Sequence, residues 1–315
     1  MRTLVVGAGA IGGYFGGRLL EAHRDVTFLV RPRRAEELAS MGLRIRSRFG
    51  DVAIPTPPTI LAQETGEPFE LVLLSCKAYD LEGAIASLAP LVRPDSAIVP
   101  LLNGMRHLGL LDARFGAAQV LGGQCRIAVT LNEQHEIVHL NDTHELSFGE
   151  RDGSMSDRVR AIAQLMTGGG FDARLSTDIV REMWEKWVFL AALAGSTCLM
   201  RAAIGDICRA PGGTDFVLGL LEECGRTAAA EGFPVRDAFL KVGREMLTAT
   251  RSELTASMLR DMERNAPIEA DHIVGDMLQR GPRGSLSPGD FSFLRVVYTH
   301  LKAYEARRGR MLSAT

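Results

Sequence analysis

The chain has 315 residues, room for two domains of ordinary size, and its 46% hydrophobic content is that of a soluble globular protein with a real core. A formal charge of −2 at pH 7 gives no electrostatic case for nucleic acid, which would require a clustered basic surface. Apolar runs are broken by Gly, Arg or Lys well short of membrane-spanning length, and Gly7, Gly9 and Gly12 spoil the first stretch as a secretory signal, so no membrane partner is expected.

In chain order, Arg2–Val6 reads as a short strand, followed by a glycine turn and a helix to about Glu21. "VTFLV" (26–30) is a second strand and 33–40 a helix. "GLRIRSRFGDVAIP" alternates like a hairpin, "LVLLS" (71–75) is a continuous buried strand, 81–91 is helical, and "AIVPLL" (97–102) is another strand. Buried apolar strands separated by helices argue for a parallel sheet covered on both faces. From 122 to 148 the pieces "GQCRIAVTL", "EIVHL" and "HELSFGE" read as an antiparallel extension of that sheet. A helix over 157–166 and a last strand in "GGGFDARL" follow. After Ser176 strands nearly vanish. Helical periods dominate from 178 to 304, broken at Pro211, Pro234, Pro267 and the polar loop "GPRGSLSPGD". The expected division is therefore residues 1–175, an α/β domain with a doubly wound sheet, and residues 176–315, an all-helical domain.

Gly7-Ala8-Gly9-Ala10-Ile11-Gly12 matches G-x-G-x-x-G directly between a strand and a helix. In that place the first glycine permits a tight turn and the second lets backbone approach a pyrophosphate. The third lets the helix pack on the strand, while the helix N-terminus offers N–H groups to an anion. This is the Rossmann-type arrangement; a tight turn without ligand is the plainer alternative. Gly13, Gly16 and Gly17 predict unusually close packing of the helix. At the end of the second strand an NAD site would carry an acidic residue, whereas here stand Arg31, Arg33 and Arg34, which can pair with a 2′-phosphate. The expected cofactor is thus NADP(H), against the alternative of a merely solvated basic loop. Lys77 and Asn103-Gly104 each follow a strand, at the sheet edge where ligands bind.

A nicotinamide delivers hydride but no proton, so reducing a ketone requires a nearby acid. In "REMWEKWVFLAALAG", Lys186 interrupts an apolar helical face made by Met183, Phe189, Leu190 and Leu193. A lysine partly desolvated there suits a proton donor, although a lysine snorkelling at a helix edge reads equally well. Glu269 falls just after Pro267, where an acidic residue in a first helical turn also answers the helix dipole. Ser257 has no distinguishing feature alone, and His107 and His272 read as structural or surface histidines. The five scattered cysteines have no zinc spacing, so no metal is expected, and they fit reduced thiols in the cytoplasm.

Taken together, "GAGAIGG", "SCKAYD", "LLNGM", "WEKW" and "SMLRDMERNAPIEADHI" resemble the ketopantoate reductase (2-dehydropantoate 2-reductase) family over nearly the whole chain. The resemblance implies a dinucleotide-binding domain followed by a helical one, with the active site in the cleft between them. It implies Lys186 as general acid, Glu269 as the carboxylate that contacts substrate, and Asn103 and Ser257 as further substrate-side groups. Gly7, Gly9, Ala10, Ile11, Gly12, Arg31, Lys77 and Asn103 would contact the cofactor. The implied reaction is NADPH-dependent reduction of a small 2-oxo acid, by default ketopantoate to pantoate, in a homodimer formed through the helical domain. The family pattern has asparagines four and eight positions after the lysine, and this chain has Leu190 and Ala194. A less hydroxylated 2-oxo acid therefore fits as well. The competing readings are a 3-hydroxy acid or opine-type dehydrogenase of the same build and a non-catalytic NADP(H)-binding regulator.

Overall fold

The computed structural model describes residues 1–62, 64, 66–281 and 291–313, so all but the first residue of the loop at 281–290 lies outside the described residues. The chain divides into two compact units, Met1–Leu102 with His107–Val180, and Asn103–Arg106 with Arg181–Thr315.

In the first unit β1 (Thr3–Val6) leads into α1 (Ala10–Glu21) and β2 (Val26–Leu29) into α2 (Pro32–Met41). A hairpin of β3 (Leu43–Arg46) and β4 (Val52–Ile54) precedes β5 (Thr59–Ile60) and β6 (Phe69–Leu74). Then come α3 (Leu81–Leu88), β7 (Val92–Pro100), α4 (Arg106–Phe115), β8 (Gly122–Leu131), β9 (Ile137–Gly149), α5 (Asp157–Met166) and β10 (Asp172–Leu175). One sheet runs β5-β2-β1-β6-β7 and is parallel throughout. Leu71–Leu74 of β6 are wholly buried, which is why that strand reads as an unbroken apolar run. The chain winds outward from β1 to β5 and returns to β6, so the strand order reverses between β1 and β6. At such a switch point the loops leaving adjacent strands part and open a crevice at the carboxyl edge.

The segments after Gly122 depart from the expectation. They do not extend the first sheet but build a second one, and "EIVHL" and "HELSFGE" form one strand, β9. That strand pairs antiparallel with β8 on one side and parallel with β3 and β10 on the other. What looks like a break in the sequence is an irregularity between Ile127 and Val129 of β8. There Asn141 Oδ1 accepts the Ala128 N–H at 2.9 Å, so a side chain replaces a ladder hydrogen bond. The strand in "GGGFDARL", β10, belongs to this second sheet.

Helix α1 packs against both sheets, and its glycines divide between them. A Cβ on Gly16 would lie 2.6 Å from Phe28 of the first sheet. On Gly13 and Gly17 it would lie 2.5 Å from Ile137 and 2.6 Å from Leu43 of the second. The close packing expected from these glycines is therefore doubled, because a helix squeezed between two sheets has two faces that cannot carry side chains.

The second unit is helical: α6 (Ile179–Met200), α7 (Ile204–Arg209), α8 (Gly213–Ala230), α9 (Asp237–Leu247) and α10 (Ser257–Glu263). A π turn over Asp271–Gly275 runs on into α11 (Asp276–Arg280), and α12 (Phe293–Ser313) follows. Pro211, Pro234 and Pro267 fall between helices, as expected of residues that cannot continue one. Helix α6 turns Gly195 toward Leu220 of α8 and Val297 of α12, where a Cβ would sit 2.7 and 3.3 Å away. Its opposite side carries Lys186, nine residues from Gly195 and thus about half a turn beyond two full turns.

Candidate active site

At the carboxyl end of β1, Gly7 takes φ +92°, a conformation that costs other residues but not glycine. Ser75, leaving β6 across the switch point, fixes the turn by donating its hydroxyl to Val6 O at 2.8 Å and Gly7 O at 3.1 Å. A Cβ on Gly12 would collide with Gly7 O and Ser75 Oγ, so fold alone accounts for that glycine. Gly9 is different: it is exposed, its φ is −79°, and a Cβ would meet nothing within 4 Å. Packing does not require a glycine there, whereas a ligand approaching the backbone would. Gly9 is also the N-cap of α1, with no side-chain cap and no acidic residue in the first turn. The N–H groups of Ala10, Ile11 and Gly12 head the helix, where the positive end of its dipole suits a phosphate. The residues present therefore fit a dinucleotide's pyrophosphate.

At the end of β2, Arg31 is the N-cap of α2 and is 75% exposed; it pairs with Asp80 at 2.5 Å. Its partner follows Lys77, which is half-buried at the start of the 3-10 turn Ala78–Asp80. Of the other two arginines, Arg33 is more exposed still, at 84%, and only Arg34 is half-buried. Arg33 binds Glu37, and Arg34 bridges Glu37 and the Ala8 carbonyl, bracing the glycine turn through a 3.0 Å hydrogen bond. Burial would raise the Glu37 carboxyl, but these arginines and His135 hold it below its ordinary value. Arg31, nearest the end of β2, and Arg33 both present their guanidinium groups to solvent, while Arg34 is held against the glycine turn.

The second unit holds Asn103, Lys186, Ser257 and Glu269. Lys186 is half-buried on α6, and each residue flanking it is locked. Trp184, 2% exposed, stacks on Phe233 at 5.8 Å. Glu185, 1% exposed, accepts from the Arg236 backbone at 3.0 Å and from its Nε at 2.8 Å. Trp187 donates its indole N–H to Ile273 O at 2.9 Å, with Arg280 over both indoles. These anchors fix the helix rotation, and with it the direction from which the amine departs.

The bond from Trp187 ties α6 to the π turn, and Glu269 lies two residues before that turn. Glu269 is buried and lies outside the first helical turn in which the sequence places it. Its carbonyl accepts from Ile273 N at 3.0 Å, making it a cap, and Pro267 stands clear of the helix. His272, which reads as a structural histidine, occupies the middle of this assembly. Its ring is hydrogen-bonded to the Asn103 backbone and lies among Glu269, Asp276 and Arg106; burial pushes its pKa below the ordinary value. Gly104 holds φ +79° with a Cβ position 2.8 Å from His272 O, so only glycine lets the Asn103 loop come this close. Asn103 and Glu269 are thus joined through His272, a link with no signal in a lone histidine of the sequence. Ser257 is exposed at the first position of α10, whose N-cap Ala256 donates to Thr197 Oγ1 of α6 at 3.4 Å. π turns recur at functional sites because the extra residue redirects neighbouring side chains.

Among the described residues no group of three or more His, Cys, Asp or Glu side chains is placed to hold a metal ion, and all five cysteines are free. Burial pushes the Cys198 thiol up to about 12, which makes it inert. No described helix is long and apolar enough to cross a membrane.

Comparison with known proteins agrees with both halves. Residues 3–153 match the family described as ketopantoate reductase PanE/ApbA, and residues 178–305 match ketopantoate reductase PanE/ApbA C terminal. An uncharacterized oxidoreductase of Bacillus subtilis (strain 168), YkpB, is 39% identical over 308 residues, 98% of this chain and 100% of that one. The 2-dehydropantoate 2-reductase of Mesorhizobium japonicum is 29% identical, over 89% of this chain and 91% of its own. The crystal structure of 2-dehydropantoate 2-reductase from Geobacter metallireducens has a TM-score of 0.86 at 28% identity, covering 96% and 99% of the two chains. The chain belongs to the ketopantoate reductase (PanE/ApbA) family, oxidoreductases that act on a CH–OH group.

Proposed function

We propose that the chain reduces a small 2-oxo acid to the 2-hydroxy acid with NADPH, with ketopantoate, the acid named for relatives such as the Mesorhizobium japonicum protein, as the reference substrate. The observation that supports the reaction most is Lys186, a half-buried amine between three anchored side chains on the unit that also carries Asn103, Ser257 and Glu269. When bound, the nicotinamide supplies hydride to the ketone carbon. Lys186 Nζ donates the proton that the developing alkoxide takes up, the step that general acids accelerate. Glu269 orients that amine, while the Asn103 amide and the Ser257 hydroxyl donate to substrate oxygens. The Gly7–Gly12 turn holds the pyrophosphate, and Lys77 lies on the phosphate and adenosine side. Arg31 receives the 2′-phosphate, which favours NADPH over NADH; its exposure and the missing carboxylate at the end of β2 support this. Free thiols are consistent with a cytoplasmic location.

The test is NADPH absorbance with a panel of 2-oxo and 3-oxo acids that includes ketopantoate, repeated with NADH. Turnover of a 2-oxo acid with the higher kcat/KM for NADPH is expected. A clear NADH preference overturns the cofactor assignment, and tight NADPH binding without turnover on any acid overturns the reaction in favour of a non-catalytic binder.

A further inference from the structure

Resting on the 2-oxo acid reductase reading, we propose that the acid this chain takes has an apolar side chain without a hydroxyl group. The nine residues that follow Lys186, "WVFLAALAG", contain a single side-chain hydrogen-bonding group, the Trp187 indole, and it is already donated to Ile273 O at 2.9 Å. Helical geometry places Leu190, Ala194 and Thr197 within about 80° of Lys186, on the same face of α6. Leu190 is half-buried like the lysine, and Ala194 is buried. Thr197 ends the strip; its O–H is committed to Leu193 O at 2.7 Å, and its Oγ1 accepts from Ala256 N. Ser196, whose hydroxyl has no partner among the described residues, is fully buried and lies about 120° from Leu190 and about 160° from Ala194, off this strip.

The polar groups assigned to the substrate are used up by its reacting end. A 2-oxo acid presents three acceptor oxygens, one on the ketone and two on the carboxylate. Three groups supply donors, the Lys186 amine, the Asn103 amide and the Ser257 hydroxyl, and the two lone pairs on each of those oxygens can take up their three, two and one hydrogens. Glu269, an acceptor, is occupied in orienting the amine. A side chain laid along α6 therefore meets methyl and methylene groups. A hydroxyl there would give up its water without gaining a partner.

Two acids that differ only in that hydroxyl decide the matter: 3,3-dimethyl-2-oxobutanoate and its 4-hydroxy derivative, ketopantoate. Each is titrated calorimetrically into the protein saturated with NADP+, and kcat/KM is measured with NADPH. The unhydroxylated acid should bind, and turn over, about tenfold to a hundredfold better. Equal or tighter binding of ketopantoate, or binding of neither acid, overturns the proposal. Preferential binding of the unhydroxylated acid with no turnover upholds it and sinks the reductase reading instead. Leu190→Asn, similar in volume and at a half-buried position, should narrow the binding ratio about tenfold. A folded variant with the ratio unchanged overturns the placement of the side chain along α6.

Discussion

Around Gly7–Gly12 the chain strips away side chains so that bare backbone meets whatever binds; around Lys186 it rings one amine with large side chains held fast. The first arrangement is local. Gly7 needs its positive φ, Gly12 has no room for a Cβ beside Ser75, and three further helical positions, Gly13, Gly16 and Gly17, are shaped by two sheets pressing on α1. The second arrangement is assembled from afar, since Trp187 reaches Ile273, Glu185 reaches Arg236, and the Asn103 loop rests on His272. A backbone site is specified by what a sequence lacks, and a side-chain site by partners that sequence distance hides.

The sharpest way to break the comparison is Lys186→Ala. If the anchored surroundings exist to aim that amine, kcat falls about a hundredfold to ten-thousandfold while the dissociation constant for NADPH hardly moves. Stopped turnover with a parallel loss of NADPH binding would mean that the lysine serves the cofactor rather than the proton.

Next in size is a paired test of the glycine turn. Gly12→Ala forces a Cβ into Gly7 O and Ser75 Oγ, so both the melting temperature and NADPH affinity should drop, affinity by about a hundredfold. Gly9→Ala adds a Cβ to open space at an ordinary φ and should melt like the parent. If the backbone at Gly9 lies against a pyrophosphate, that same variant loses NADPH affinity about tenfold or more with stability intact. Retained affinity would reduce the turn to a packing device.

How much of this is legible in the sequence follows the same division. The parallel sheet, the place of the glycine turn between strand and helix, the tight packing of α1 and the helical second half all follow from short-range pattern. The second sheet does not, because Asn141 closes an irregularity with its side chain and so disguises one strand as two. Glu269 looks like an N-terminal helical acid, and only the π turn after it and the bond from Trp187 reveal a different position. His272 carries no local signal of a site; beside its near neighbours Glu269 and Asp276, it meets the loop after β7 and α4's first residue.

A smaller effect concerns cofactor choice. Arg31 is exposed and shares its charge with Asp80, so Arg31→Ala should lower the ratio of kcat/KM for NADPH over NADH by about tenfold. A ratio that does not change would leave Arg31 as a cap on α2 tied to Asp80, and would move discrimination to Lys77.

The smallest expected effect is on pH, and it reaches the side-chain site through His272. Burial lowers this ring's pKa, opposed by Glu269, Asp276 and the Asn103 backbone and assisted by Arg106. With the folded value below the unfolded one, the unfolded chain takes up the proton first as pH falls. The stability contributed by the neutral ring is therefore complete above about pH 6.5 and is lost on acidification toward the lower folded value. His144 and His300, also lowered chiefly by burial, add in the same direction. The melting temperature should fall between about pH 7 and about pH 5, with a flatter slope in His272→Gln. Because the ring holds the Asn103 loop, the KM for the 2-oxo acid should rise in the parent only at the acid end of this interval, where the folded ring itself takes up a proton, and stay level there in the variant. A KM that stays level in the parent even at that acid end, while the melting temperature falls, would show that His272 supports the helical unit without setting the position of Asn103.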